Sequence, residues 1–163
     1  MILYLVRHGI AVDRADPKSP TEPERPLTAK GVQKARSAAL GLKELRVNPD
    51  VFITSPYVRA AQTAEIFAEA LGFSPEKIRT SEALKPAGDP SEALKEIARL
   101  KAKEVMCFGH APHLDQIITH LVGARGDFTS LKKAGVACLE RKSAAGRWEL
   151  LWILTPKMLR QLA

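Results

Sequence analysis

The sequence predicts an α/β protein, a three-layer α/β/α sandwich whose central sheet is mostly parallel with an antiparallel edge. Two observations carry this. As far as Gly123, short apolar runs alternate with helix-spaced stretches and turn signals, the pattern of a parallel sheet covered on both faces. After it, two β-like runs, Gly135 to Glu140 and Trp148 to Leu154, flank Lys142-Ser143-Ala144-Ala145-Gly146-Arg147, a hairpin signal that places antiparallel strands at one edge.

The first strand covers Ile2 to Val6 and runs straight into Arg7-His8-Gly9. The following segment carries Pro17, Pro20, Pro23 and Pro26, too many prolines for a helix or a central strand, and is expected to be a surface loop near the strand end. Val32, Ala35, Ala39, Leu42 and Leu45 then recur at helical spacing behind Thr28, an N-cap, and that helix stops before Asn48-Pro49. Val51 to Thr54 is the second strand. Ser55-Pro56 is expected to cap and open a helix reaching Leu71-Gly72, with Arg59 in its first turn.

A short extended piece around Ile78 leads to a loop from Glu82 to Gly88. Asp89-Pro90-Ser91-Glu92 opens the next helix, with Asp89 as cap, Glu92 reaching back, and Leu94, Ile97 and Ala98 facing inward. Val105 to Phe108 makes a further strand that ends in Gly109-His110-Ala111-Pro112, and a helix follows through Ile117, Ile118 and Leu121 to a Gly123 C-cap. Trp148, Leu150, Trp152 and Leu154 alternate along the last strand, which places them together on one core-facing side. Thr155-Pro156 starts a short C-terminal helix. With no repeat, low-complexity tract or linker, residues 1–163 are expected to form one domain.

Composition narrows the function classes. A hydrophobic content of 45% with 26% charged residues is that of a soluble globular chain, and no apolar run approaches the roughly 20 residues that cross a bilayer. No membrane partner is expected. The N-terminal run has no basic flank or cleavage site, so the expected location is cytoplasmic. Cys107 and Cys138 lie in apolar runs without a C-x-x-C pattern and are expected to be buried, inert thiols. Lys and Arg number 25 against 18 Asp and Glu, a net charge of +7 that favours anionic partners. Those cations are dispersed and aromatics make up only 6%, which argues against nucleic acid.

Three strand candidates each end in a residue suited to phosphate: Arg7-His8, then Arg59, then His110. A parallel sheet brings such ends to one edge, where open α/β sheets bind ligands. Imidazole stays neutral and nucleophilic near pH 7, and guanidinium offers a planar fork of donors to phosphoryl oxygens. Helix starts at Ser55-Pro56 and Ala111-Pro112 would add backbone N–H donors. His110, His113 and His120 lack the carboxylate of an H-E-x-x-H zinc site, so no metal is expected. Asp115 is expected to charge the first turn of its helix or to orient a histidine.

These motifs resemble the histidine phosphatase superfamily, of phosphoglycerate mutase-like fold, and in particular its small SixA-type phosphohistidine phosphatases. The resemblance rests on Leu5-Val6-Arg7-His8-Gly9, Arg25-Pro26-Leu27-Thr28-Ala29-Lys30-Gly31, Ser55-Pro56-Tyr57-Val58-Arg59-Ala60-Ala61-Gln62-Thr63-Ala64, and Gly109-His110-Ala111-Pro112-His113, in that order. It implies phosphoryl transfer through a phosphohistidine on His8, with Arg7, Arg59 and His110 holding the equatorial oxygens and water completing hydrolysis. It implies no metal or cofactor. By the same resemblance Arg25 lines the entrance and the Ala111 N–H donates to the phosphate.

The chain departs from the family at the proton donor. Glu82, one residue displaced from the family's carboxylate, is the candidate acid. A weak acid costs least when phosphorus leaves a histidine nitrogen, whose pKa is about 6.5, rather than an alkoxide. The short chain also offers no lid to shield a mutase intermediate. The expected substrate is therefore a protein carrying phosphohistidine, with a small phosphomonoester as the alternative and a noncatalytic phosphate-binding module behind both.

Overall fold

The computed structural model describes residues 1–126, 128–143 and 145–163. Ala144 of the expected hairpin turn lies outside the described residues. The elements in chain order are β1 (Ile2–Arg7), α1 (Ala29–Glu44), β2 (Val51–Thr54), α2 (Val58–Leu71), β3 (Arg79–Thr80), α3 (Pro90–Ala98), β4 (Glu104–Gly109), α4 (His113–Val122), β5 (Val136–Glu140), β6 (Glu149–Leu154) and α5 (Pro156–Arg160). The strands form one sheet in the order β3-β2-β4-β1-β5-β6. β1, β2, β3 and β4 run parallel, and β5 and β6 are antiparallel at the edge, as expected.

Strand alternation sorts the core into two layers. Tyr4, Val6, Phe52, Met106 and Phe108 face Ala35, Ala39 and Leu42 of α1, Ala64 and Phe67 of α2, and Leu159 of α5. Leu3, Leu5, Ile53, Val105 and Cys107 face Ala93 and Ile97 of α3 and Leu114, Ile117 and Ile118 of α4. β4 lies between β2 and β1, so the carboxyl ends of β1, β2 and β4 are neighbours. Backbone bonds lock them there, from the His8 N–H to the Gly109 carbonyl (3.0 Å) and from the Ser55 N–H to the Phe108 carbonyl (2.9 Å).

Thr28 caps α1 by accepting from the Gly31 N–H at 3.0 Å, and Gly72 and Gly123 close α2 and α4 in left-handed conformation. Asp89 caps α3 through the Ser91 N–H at 2.8 Å. Other local expectations need correction. Glu92 does not reach back but pairs with Lys95, one turn on along the exposed face. Ala98 is exposed, because the α3 stripe runs through Ala93 and Ile97. Val32 and Leu45, at the two ends of the α1 stripe, are also exposed. The proline-rich segment is not wholly irregular, since Glu22–Glu24 forms a 3-10 turn opened by Pro23.

The tryptophans do not share a face. β6 carries a bulge where Leu139 pairs with Leu150 and Cys138 with Trp152, leaving Leu151 extra and exposed. One extra residue reverses the two-residue period. Trp148 and Leu150 consequently pack with the α3–α4 layer, and Trp152 and Leu154 with the α1–α2 layer.

Candidate functional site

β1 delivers Arg7 and His8 to the carboxyl edge of the sheet, and His8 is buried there. Its Nδ1 lies 2.7 Å from the Gly9 carbonyl oxygen, and its Nε2 lies 3.2 Å from Nε of Arg59. A carbonyl only accepts and a guanidinium only donates, so the proton sits on Nδ1 and Nε2 presents its lone pair. Burial, against the opposing pull of the Gly9 carbonyl, and the nearby charges of Arg59, Arg7 and Lys133 push the His8 pKa down from 6.5 to about 3. The ring is neutral and of fixed tautomer at physiological pH.

Arg59 is buried in the first turn of α2. Besides meeting His8, it donates from Nη1 to the Glu22 carbonyl (2.8 Å) and from Nη2 to Glu22 Oε1 (2.9 Å). The α2 helix is tied to β1 through Thr63, whose hydroxyl accepts from the Gly9 N–H (3.0 Å) and donates to the Arg59 carbonyl (2.6 Å). The helix starts two residues later than expected. α2 begins at Val58, with Tyr57 rather than Ser55 at its N-cap, and the Ser55 hydroxyl meets His110 Nε2 at 2.9 Å instead.

His110 follows β4, and its ring centroid is 5.0 Å from that of His8. Tyr57 packs edge-on against it at 5.2 Å. Burial and then the charges around it, His8 and Arg59 foremost, lower the His110 pKa to about 2. Its Nδ1 is buried without a partner. The Nε of Arg7 is likewise buried without a partner on the cavity lining, as are both ring nitrogens of His113 outside it. α4 opens only at His113, so Ala111 precedes the helix, and it lines the same cavity as His8 and His110.

Arg7 donates from Nη1 to the Leu131 carbonyl at 2.7 Å. That carbonyl is itself held, because Asp115 Oδ1 accepts from the Leu131 N–H (2.9 Å) and from the Thr129 hydroxyl (2.7 Å). Asp115 therefore anchors the segment that orients Arg7 and orients no histidine directly. His113 packs fully buried, outside the cavity lining, and burial lowers its pKa. Among the described residues no three His, Cys, Asp or Glu side chains gather as a metal cluster.

Arg7, His8, Arg59, His110 and Ala111 thus border one cavity of about 630 Å³, with Arg25 and Lys133 on its rim. The proline-rich segment forms a wall, held by the Thr28 N–H to the Ile10 carbonyl (2.8 Å) and the Val12 N–H to the Pro26 carbonyl (2.9 Å). Glu82 is the expected residue that the structure leaves out. It sits in a 3-10 turn whose apolar side buries Leu84, and its exposed carboxylate pairs with Lys85 away from the cavity lining. Sequence reasoning missed Glu22, Ser55, Thr63 and Lys133. Only Ser55 and Thr63 carried a signal, as members of the quoted Ser55-to-Ala64 motif. A larger cleft of about 780 Å³ across Ala111 has no arginine or lysine among its described lining residues, which makes it a poor anion site.

Comparison with known proteins agrees with this geometry. Residues 3–86 match the model of the histidine phosphatase superfamily (branch 1). An uncharacterized protein of Picosynechococcus sp. is 36% identical over 170 residues, spanning 98% of this chain and 99% of that protein. The phosphohistidine phosphatase SixA of Escherichia coli is 27% identical over 156 residues, spanning 92% and 93%. The solved structure of the protein histidine phosphatase SixA complexed with tungstate superposes with a TM-score of 0.86 at 24% identity, covering 96% of this chain and 98% of that one. A sheet that presents two neutral histidines and two arginines at its carboxyl edge, in a chain matched end to end by such relatives, belongs to a phosphatase of SixA type within the histidine phosphatase superfamily.

Proposed function

We propose that this phosphatase removes the phosphoryl group from protein phosphohistidine, by way of a phosphohistidine formed on its own His8 and without a metal. The observation that carries the reading is the His8 ring, with Nδ1–H held by the Gly9 carbonyl and Nε2 bare except for the Arg59 guanidinium. Nε2 attacks phosphorus in line. The bond from phosphorus to the substrate nitrogen breaks as the bond to Nε2 forms, the departing ring takes a proton from solvent, and Arg7, Arg59, His110 and the Ala111 N–H hold the equatorial oxygens. Water then attacks phospho-His8, releasing inorganic phosphate and the neutral ring. The guanidiniums, with Lys133 at the rim, supply the charge that a divalent cation supplies in other phosphoryl transfers.

The carboxylates support nitrogen as the leaving atom. Among the described residues the cavity is lined by Asp13 and Glu22 alone of the acids. Asp13 accepts from the Ala15 N–H through Oδ1, and Glu22 is ion-paired, its pKa lowered chiefly by its hydrogen bonds to Arg25. An ionised Glu22 has no proton to give an alkoxide, whereas a histidine ring leaves near neutral pH without strong acid assistance. The name of the Escherichia coli relative points the same way, and the tungstate of the solved relative is a tetrahedral oxyanion like phosphate.

The test is turnover of a histidine-phosphorylated carrier protein beside a panel of alkyl phosphomonoesters, with alkaline quenching to trap the phosphoenzyme. We expect an acid-labile, alkali-stable phosphoenzyme that is absent in His8→Ala, and faster release from the carrier protein than from any ester. Accumulation of the same species in His8→Ala would exclude His8 as acceptor. A strong preference for an alkyl ester would instead mark a small-molecule phosphomonoesterase.

A further inference from the structure

A carboxylate occupies part of the anion cavity. Glu22, in the 3-10 turn of the proline-rich wall, places Oε1 2.8 Å from Arg25 Nη2 and 2.9 Å from Arg59 Nη2, with Oε2 2.8 Å from Arg25 Nε. Arg14 Nε lies 3.5 Å from the same Oε2. The Arg25 contact is a two-pronged fork, the arrangement a guanidinium makes with the carboxylate or phosphate of a ligand. Two guanidiniums share a single oxygen, so Arg25 and Arg59 sit side by side at the mouth of the pocket.

The position is built into the chain. Arg25 Nη1 donates to the Val12 carbonyl at 2.7 Å, and Arg59 Nη1 to the Glu22 carbonyl at 2.8 Å, so both forks are fixed on each side of the carboxylate. The turn is stiffened by Pro23 and by the Thr21 hydroxyl, which donates to Glu24 Oε2 at 2.6 Å. Glu22 stays ionised in this setting, its pKa lowered chiefly by Arg25. The inner part of the cavity keeps Arg7, the Nε side of Arg59, His110 and the Ala111 N–H for one phosphoryl group. Arg25 and Arg14 at the mouth are already engaged by Glu22.

We infer that Glu22 is a specificity-determining residue: its carboxylate fills the place a second anionic group of a ligand would take on Arg25, and so selects phosphoryl groups borne on uncharged carriers over diphosphates and phosphorylated acids. This deepens the function proposed above and rests on it, since the imidazole of a phosphohistidine is such a carrier. Selection works by exclusion. A second anion must displace Glu22 from Arg25 or lie against a like charge, and either costs affinity that a single phosphoryl group does not lose.

The test uses two probes that cannot be hydrolysed, methylphosphonate with one anionic group and methylenediphosphonate with two, titrated calorimetrically into the full chain. The proteins are the wild type, Glu22→Ala, Glu22→Gln, Arg25→Ala and the Glu22→Ala/Arg25→Ala double variant. The affinity ratio of diphosphonate to monophosphonate is expected to rise roughly tenfold in Glu22→Ala, the scale of one additional charge-assisted hydrogen bond, and by a smaller factor in Glu22→Gln. The double variant should return the ratio to that of Arg25→Ala, because the rise requires Arg25 to receive the second anion. A ratio unchanged in both Glu22 variants overturns the inference, and so does a rise that survives without Arg25, which would mark a general charge effect. Failure of methylphosphonate to bind the wild type would overturn the phosphate-site reading itself, and this inference with it.

Discussion

His8 owes its chemistry to two bonds of opposite sense, the Nδ1–H given to Gly9 and the Nε2 lone pair shared with Arg59. Arg59 thereby fixes the orientation of the His8 ring, and in the proposed reaction it would also take a phosphoryl oxygen. Arg59→Ala is expected to lower turnover of a phosphoramidate by about 10² to 10³, the scale of deleting one strong transition-state donor. Wild-type rates in that variant would place Arg59 outside the reaction. Motif reading finds both residues because each stands directly after a strand or within a helix's first turn, where local pattern fixes position. Glu82 shows the limit of that reading, for in the turn that buries Leu84 the carboxylate pairs with Lys85 and is not part of the cavity lining.

At the scale of the element, the wall of the site depends on how closely α1 approaches the chain leaving β1. Gly31 lies against the Ile10 backbone, and a Cβ there would collide with the Ile10 carbonyl. The same turn carries the Thr28 cap and the Thr28 N–H to Ile10 bond. Gly31→Ala is expected to destabilise the protein by about 3 kcal/mol, the upper end of overpacking costs, read as a lower midpoint in urea unfolding. Unchanged stability would show that the wall can shift freely. Thr28, Asp89, Gly72 and Gly123 are legible in the sequence because caps are local chemistry. Ser55-Pro56 has the local form of a cap too, but nothing local reveals that the Ser55 hydroxyl is taken up by His110, 55 residues away.

For the whole molecule, three buried histidines set the response to acid. His8, His110 and His113 all have pKa values below the ordinary 6.5, with burial the leading cause in each. Between those depressed values and 6.5 the unfolded chain binds more protons than the folded one, so stability rises with pH. The contribution is complete above about pH 6.5 and is lost progressively below it, toward about pH 3 for His8. Thermal unfolding of the protein free of phosphate should therefore show Tm falling steadily from about pH 7 to about pH 5. A flat profile over that range would mean that the rings are solvated. The sequence alone determined the α/β class, the parallel strands with their antiparallel edge, and the delivery of Arg7, His8 and His110 to strand ends, because hydrophobic period and turn chemistry act over a few residues. Tertiary structure decided the rest. Glu22 meets Arg59 across 37 residues and Leu131 meets Arg7 across 124, while a single bulge in β6 sends Trp148 and Trp152 to opposite layers. Such contacts arise only when distant segments are packed into one volume, and no local pattern encodes which charges that packing brings together.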